Sequence, residues 1–248
     1  MDVDAYLNRI GATHRGTSLE SLEHLQRAHL TAVPFENLDV FHRRGVQTSP
    51  EWSIAKIVDR RRGGWCYELN GAFAELLQAL GFEVTLLACH VLFDGEPTEE
   101  PDHLALLVET GGPHLVDVGF GNSFIRPLPL LPGVALDGGS ATYSFEESDG
   151  NWTLREHASG GDAVPQYRFK VAPADHTDFE VASQRLQTVP GLHWTAAPFC
   201  TRLLEGGPDR VTLLSDRIRW RRGNRIIEEP VAAESWAATL HEWFGLSP

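Results

Sequence analysis

Three residues in this chain have the types that together move a proton and an acyl group: Cys66, His103 and Asp117. Cys66 follows Gly63-Gly64-Trp65 and opens an apolar stretch that reads as a helix. A cysteine in that position meets unpaired backbone N–H groups and the positive end of the helix dipole. Such a setting is expected to lower a thiol pKa into the range of about 3.5–7.5, and so to supply a thiolate nucleophile at neutral pH. The same amides can donate to an oxyanion on an attacked carbonyl. The two glycines, lacking Cβ, would let a substrate carbonyl approach closely. Most free cysteines are small core hydrophobes, and Cys66 also lies on the apolar stripe of its helix. What favours chemistry is a base and an orienting acid downstream. The three give the logic of Cys-His-Asp nucleophilic catalysis.

Whether His103 and Asp117 share a face is a question of parity. His103 begins the strand-like run His103–Val108, and Asp117 lies inside Leu115–Val118, with Thr110-Gly111-Gly112-Pro113 between them. Pairing Glu109 with His114 sends Asp117 to the face opposite His103. Pairing Val108 with His114 instead makes Asp117 the diagonal neighbour of His103, ~7–8 Å away between Cα atoms. The triad therefore requires the second register. It predicts a connection of five or more residues, or a bulge, and excludes a four-residue loop with a regular ladder.

The elements that must carry these residues are legible in part. Thr17 or Ser18 can cap a helix running to Leu30, with Leu19, Leu22, Leu25 and Ala28 on one stripe. Pro34 breaks it. Ile54, Ile57 and Val58 suggest a helix toward Arg62, and a third helix runs from Trp65 to Leu80, with Gly81 as its stop. Past Gly81 the period changes to that of strands: Val84–Leu92, His103–Glu109, His114–Val118, Tyr143–Glu147, Trp152–Glu156 and Tyr167–Val171. The Asp149-Gly150-Asn151 turn and a Gly160-Gly161 loop separate the last three. A helix near Phe179–Leu186, strands near Val211–Leu214 and Arg217–Trp220, and a closing helix with Trp236, Leu240, Trp243 and Phe244 on one face complete the chain. Helices, then antiparallel strands, then a mixed segment predict an α+β fold in three parts, 1–82, 83–175 and 176–248.

Composition narrows the function. The chain has 248 residues and a net charge of −13, which argues against a nucleic-acid partner. No run approaches the ~20 apolar residues of a membrane span. The start, Met1-Asp2-Val3-Asp4, lacks the features of a secretion signal. Three cysteines, Cys66, Cys89 and Cys200, are no disulfide framework, so a reducing cytoplasm is expected. Cys89, His90 and His103 form no metal-ligand pattern, and no metal is expected.

Arg62-Gly63-Gly64-Trp65-Cys66-Tyr67-Glu68-Leu69-Asn70 resembles the active-cysteine signature of the arylamine N-acetyltransferases. Val33–Leu38 resembles that family's N-terminal motif, and Asp102-His103-Leu104, Val116–Gly121 and Ala197-Pro198-Phe199 resemble further motifs in the same order. The likeness extends from about Tyr6 to the C-terminus. It implies a helical first subdomain, an antiparallel β-barrel and an α/β lid, on a core related to cysteine proteases and transglutaminases. It also implies acetyl transfer from acetyl-CoA, a co-substrate rather than a bound cofactor. The acceptors would be arylamines, arylhydrazines or N-hydroxyarylamines, acetylated by ping-pong through an acetyl-cysteine. Cys66 would be the nucleophile, His103 the base and Asp117 its orienter. The loop Gly119-Phe120-Gly121-Asn122 would border the CoA channel and acyl pocket, and Phe35, Phe120 and Phe199 would wall the flat amine.

Around these, Glu36 is positioned to pair with Arg62 or Arg9, and Glu68 and Asn70 are expected to be structural. The arginines of Arg60–Arg62 and Arg217–Arg222 read as a charged strand edge. Their functional alternative is a basic rim for CoA phosphates, with Arg221 and Arg222 foremost. The rival within the fold is an amide synthase that closes a macrolactam from a carrier-bound acyl chain. The sequence leaves open the physiological amine, the acyl length and the oligomeric state.

Overall fold

The structure, a computed structural model, describes residues 1–157, 162–223 and 225–248; the expected Gly160-Gly161 loop lies outside them. Helix α1 (Val3–Ile10) is capped by Asp2, whose carboxylate accepts the Ala5 N–H at 2.9 Å. Helix α2 (Leu19–Ala32) begins at the expected cap, with Ser18 Oγ accepting the Ser21 N–H. It runs two residues beyond Leu30, because Val33 still donates its N–H to His29 and only Pro34 lacks a donor. Strand β1 (Phe35–Glu36) and the short α3 (Leu38–Phe41) follow. The helix expected toward Arg62 is α4 (Pro50–Ile54), continued as a π-helical turn over Ala55–Asp59.

Helix α5 (Cys66–Ala79) is the hub. The sequence marks one apolar stripe, yet Cys66 through Ala74 is buried without interruption. The helix is wrapped by α1, α2 and α4 on one side and by the barrel wall on the other. Gly81, at φ 91°, ends it in the left-handed conformation a glycine adopts without strain.

Nine strands then build an antiparallel sheet that curls nearly into a barrel. They are β2 (Glu83–Phe93), β3 (Glu96–Pro97), β4 (His103–Glu109), β5 (Pro113–Val116), β6 (Leu128–Pro129), β7 (Leu136–Asp137), β8 (Thr142–Ser148), β9 (Asn151–His157) and β10 (Ala163–Lys170). Their spatial order is β6-β5-β4-β2-β10-β9-β8-β7, with β3 hairpinned onto β2. Strand β4 is buried on both faces, which is why His103–Val108 is apolar almost throughout. Leu104, Leu106 and Val108 pack toward α5, and Ala105 and Leu107 face the barrel interior with Leu115, Phe145, Tyr167 and Phe169.

After α6 (Glu180–Thr188) and α7 (His193–Ala196), a second sheet forms from β11 (Cys200–Leu203), β12 (Arg210–Leu213), β13 (Arg217–Arg222) and β14 (Arg225–Pro230). Strand β1 joins it beside β11 and also bridges to Gly64, tying this sheet to the segment just before α5. Helix α8 (Trp236–Phe244) covers one face through Leu240 and Phe244. Arg217–Arg222 is not the edge the sequence suggested. It lies inside the sheet, and the exposed edge is β14, whose Glu228 takes Arg217 and Arg219. Among the described residues no helix is long and apolar enough to cross a membrane.

Candidate active site

The site is built around one buried carboxylate. Asp117 Oδ2 lies 2.7 Å from His103 Nε2 and accepts the Tyr167 hydroxyl at 3.1 Å. Its Oδ1 accepts the Asn70 amide and the Gly119 N–H, each at 2.8 Å. Four donors thus surround a carboxylate that is almost fully buried, the compensation a charge in that position requires. With Nε2 of His103 held by the acid, Nδ1 is the ring nitrogen left to exchange a proton.

The strand register that permits this is the one the triad required. Val108 pairs with His114, and Asp117 comes just after β5, where the chain leaves the ladder. The connection is shorter than expected. Glu109 and Pro113 also pair, leaving a three-residue loop, Thr110-Gly111-Gly112, in place of five residues. Parity is unchanged, since both lengths are odd. Gly111 and Gly112 make the short form possible with φ of 80° and 150°.

Cys66 is the first residue of α5, and its Sγ lies 3.8 Å from the carbonyl oxygen of Asp102, immediately before His103. The residue is only 3% exposed, yet it lines a cavity of about 1450 Å³ that His103 also lines. The expected lowering of its pKa does not occur in the closed site. Burial pushes the thiol up, and the charges of Asp102 and Asp117 add to the rise; N–H groups of Leu104 and Tyr67 facing the sulfur offset only part of it. The helix start is also shared, because the Glu68 carboxylate accepts the Trp65 N–H at 3.2 Å. A thiolate here therefore depends on handing its proton to a neighbour.

The glycines before Cys66 serve packing rather than substrate approach. A Cβ on Gly63 would lie 2.1 Å from the Pro34 carbonyl oxygen, and one on Gly64 would lie 2.5 Å from Glu68 Oε2. Gly119 is equally constrained: its Cβ would meet Cys66 Cα at 2.7 Å and Asn70 Nδ2 at 2.8 Å. Gly121, at φ 84°, presses against the Phe35 ring.

Phe35, Gly119, Phe120, Gly121, Asn122 and Phe199 all line the cavity, whereas Asp117 lies behind it. Phe35 and Phe199 have ring centroids 5.8 Å apart, and Phe120 stands 5.0 Å from His103. Sequence reasoning missed Trp194, which lines the cavity and meets Phe35 edge-on at 5.8 Å. It also missed Tyr167 as a partner of Asp117. Of the two foremost arginines, Arg221 lines the cavity and donates to Asn122 Oδ1 at 2.9 Å; strand alternation turns Arg222 away.

Beneath the helix start lies a buried ionic network. Arg62 pairs with Glu36 at 3.1 Å, and Lys56 bridges Glu68 at 2.8 Å and Asp39 at 2.9 Å. Arg9 does not pair with Glu36; it donates to the carbonyl oxygens of Ile57 and Ala32. Cys89 and Cys200 are buried free thiols away from the cavity lining. Among the described residues no group of three potential ligands could hold a metal ion.

The N-acetyltransferase family model matches residues 18–247. The chain belongs to the arylamine N-acetyltransferase family. It is 37% identical to an arylamine N-acetyltransferase of Mycolicibacterium smegmatis over 78% of this chain and 74% of that protein. Arylamine N-acetyltransferase 1 of Homo sapiens aligns over the whole of this chain and 94% of its own, at 28% identity. The arylamine N-acetyltransferase of Mycobacterium marinum, solved in complex with CoA, superposes with a TM-score of 0.90 at 30% identity, covering 98% of this chain and 92% of that one. The helical segment, near-closed barrel and lid sheet described above are the fold of this family.

Proposed function

We propose that this protein transfers an acetyl group from acetyl-CoA to the nitrogen of an arylamine, arylhydrazine or N-hydroxyarylamine, with Cys66, His103 and Asp117 as its catalytic triad. The observation that carries the assignment of roles is the 2.7 Å bond between His103 Nε2 and Asp117, behind a cavity that Cys66 and His103 line together. Family membership supports the reaction.

His103 Nδ1 takes the Cys66 proton, and Asp117 stabilises the resulting imidazolium. The thiolate attacks the thioester carbonyl; CoA leaves with a proton from His103, and the acetyl group stays on sulfur. The neutral amine then attacks the acetyl carbon. His103 accepts a proton from that nitrogen, and the Cys66 thiolate departs to be reprotonated. Burial of the sulfur makes this coupling necessary, since a lone thiolate in that position is unfavourable. The aromatic walls of Phe35, Phe120 and Phe199 would receive the planar acceptor by edge-to-face contact. Gly119, Gly121 and Asn122 border the route of the donor. In this reading 1–82 supplies the nucleophile, 83–175 the base and its orienter, and 176–248 the lid.

Mixing the protein with acetyl-CoA alone should add one acetyl group to its intact mass, and an aromatic hydrazine should then release stoichiometric product. Cys66→Ala should show neither. Labelling that persists in Cys66→Ala would remove the assignment.

A further inference from the structure

The cavity's lid wall carries a charge that the triad does not use. In the second sheet, Phe35, Thr201, Thr212 and Arg219 form one cross-strand row, and Leu203, Arg210, Arg221 and Ile226 form the row two residues along. Members of both rows line the cavity, among them three arginines. Arg219 is neutralised by Glu228, and Arg221 donates to Asn122. Arg210 differs. It is 5% exposed and lines the cavity, and no hydrogen bond or ion pair among the described residues engages its guanidinium.

A desolvated guanidinium without an anion is unfavourable, and its direct cross-strand neighbour Arg221 is another cation. Burial, and after it Arg221, pulls the Arg210 pKa down to about 10 against a smaller opposing influence of Tyr143, so Arg210 stays cationic at neutral pH. Glu156 also lines the cavity and acts on Arg221 but not on Arg210, so an anion lying between the two guanidinium groups would stabilise the pair.

We propose that Arg210, with Arg221 beside it, is the subsite that holds the diphosphate of the acyl-CoA donor. The proposal rests on the acetyltransferase reading above and adds residues to it. Position supports it. Arg210 Cα stands two strands and two residues from Phe35, ~12 Å away at ordinary sheet spacings. Phe35 bridges to Gly64, two residues before Cys66, and Phe35 and Cys66 both line the cavity. A pantetheine arm is about four residue lengths, ~13 Å extended, so a thioester at Cys66 places its diphosphate near these guanidinium groups. Charge supports it too, because two arginines match the two charges of a diphosphate better than the single charge of a carboxylate. A cavity of about 1450 Å³ also has room for a long donor.

The test compares acetyl-CoA, acetyl-dephospho-CoA and S-acetylpantetheine with an uncharged aromatic hydrazine as acceptor. Arg210→Gln should raise KM for both CoA thioesters about tenfold or more and leave kcat and the KM for S-acetylpantetheine within about twofold. Arg210→Lys should recover part of the loss. In the wild-type protein, which needs no variant to fold, ADP should compete with acetyl-CoA but not with S-acetylpantetheine. An equal rise in KM for all three donors would overturn the proposal. So would ADP inhibition that does not distinguish them, or a defect seen only with 4-aminobenzoate and absent with an uncharged amine. If no thioester acylates Cys66 at all, the acetyltransferase reading fails instead.

Discussion

Asn70 fixes Asp117 from the helix that Cys66 opens: its Nδ2 lies 2.8 Å from Asp117 Oδ1, and its Oδ1 accepts the Val118 N–H at 2.8 Å. Asn70 is four residues after Cys66, one turn along the same face of α5. The Cys66 sulfur and the Asp117 carboxylate are therefore held by one rigid element. The same amide also donates to the Leu104 carbonyl, so β4 is drawn into the arrangement just beside His103.

Asn70→Ala should consequently reduce kcat/KM by about 10–100-fold, the usual cost of losing a group that orients a catalytic side chain. The alkylation of Cys66 by iodoacetamide at neutral pH should slow in parallel. A variant that loses melting temperature but keeps its alkylation rate would show that Asn70 only packs the helix.

The state of Cys66 gives a second prediction. Burial, joined by the Asp102 and Asp117 charges, pushes its thiol above the usual range, so the sulfur is neutral through pH 7–9 unless His103 takes the proton. Wild-type protein should be alkylated readily at neutral pH. In His103→Gln the rate should fall and then climb about tenfold per pH unit, without a plateau below pH 10, as a lone buried thiol begins to ionise. A plateau near neutrality in that variant would mean that the helix start alone supplies the thiolate.

Gly119→Ala probes close approach without backbone strain, since the position does not need a positive φ. The added methyl would stand 2.7 Å from Cys66 Cα, against backbone that cannot swing away. The expected result is a folded protein destabilised by about 1–3 kcal/mol, with activity lowered more than Asn70→Ala lowers it. Full activity would show that the loop after Asp117 can retreat from α5.

The pairing of His103 with Asp117 and the place of Cys66, Phe35, Phe120 and Phe199 on one cavity could be anticipated from the chain because each sits in a pattern that survives without coordinates. A cysteine behind two glycines opens a helix, and a histidine and an aspartate flank a glycine hairpin whose parity can be counted. What could not be read depends on which surfaces meet. The pKa of Cys66 was expected to fall because a helix start is electropositive; the structure buries that start, and desolvation dominates. Gly63 and Gly64 were assigned to substrate access, yet they make room for Pro34 and Glu68. Glu68 was expected to be structural, but its counterion, Lys56, lies on the neighbouring π-helical turn, and no spacing rule links the two. Tyr167 reaches Asp117 across fifty residues of sequence from β10, a contact set by barrel closure rather than by local pattern.

His29 supplies the last prediction, on stability. Its ring is fully buried against Phe73, with Nε2 3.0 Å from the Tyr6 hydroxyl and Nδ1 unpartnered among the described residues. Burial, with Arg9 nearby, holds its pKa down to about 3. Below about pH 6.5 the unfolded chain protonates this histidine while the folded chain does not, so the unfolded state binds more protons. Stability must then fall with decreasing pH, by up to about 1.4 kcal/mol per unit between about 6.5 and 3. Asp39 acts in a different window. Burial raises its pKa, but Lys56 and Arg62 overcome that and hold it below the usual carboxylate range, so its contribution is lost only as pH falls through that lower value. Urea unfolding followed by tryptophan fluorescence at pH 7, 6 and 5 isolates the histidine. His29→Gln keeps an acceptor for the Tyr6 hydroxyl and removes the titration; it should lose about 2 kcal/mol less than wild type between pH 7 and 5. Equal losses in the two proteins would mean that His29 becomes protonated within the folded state and that the helical core opens to water to allow it.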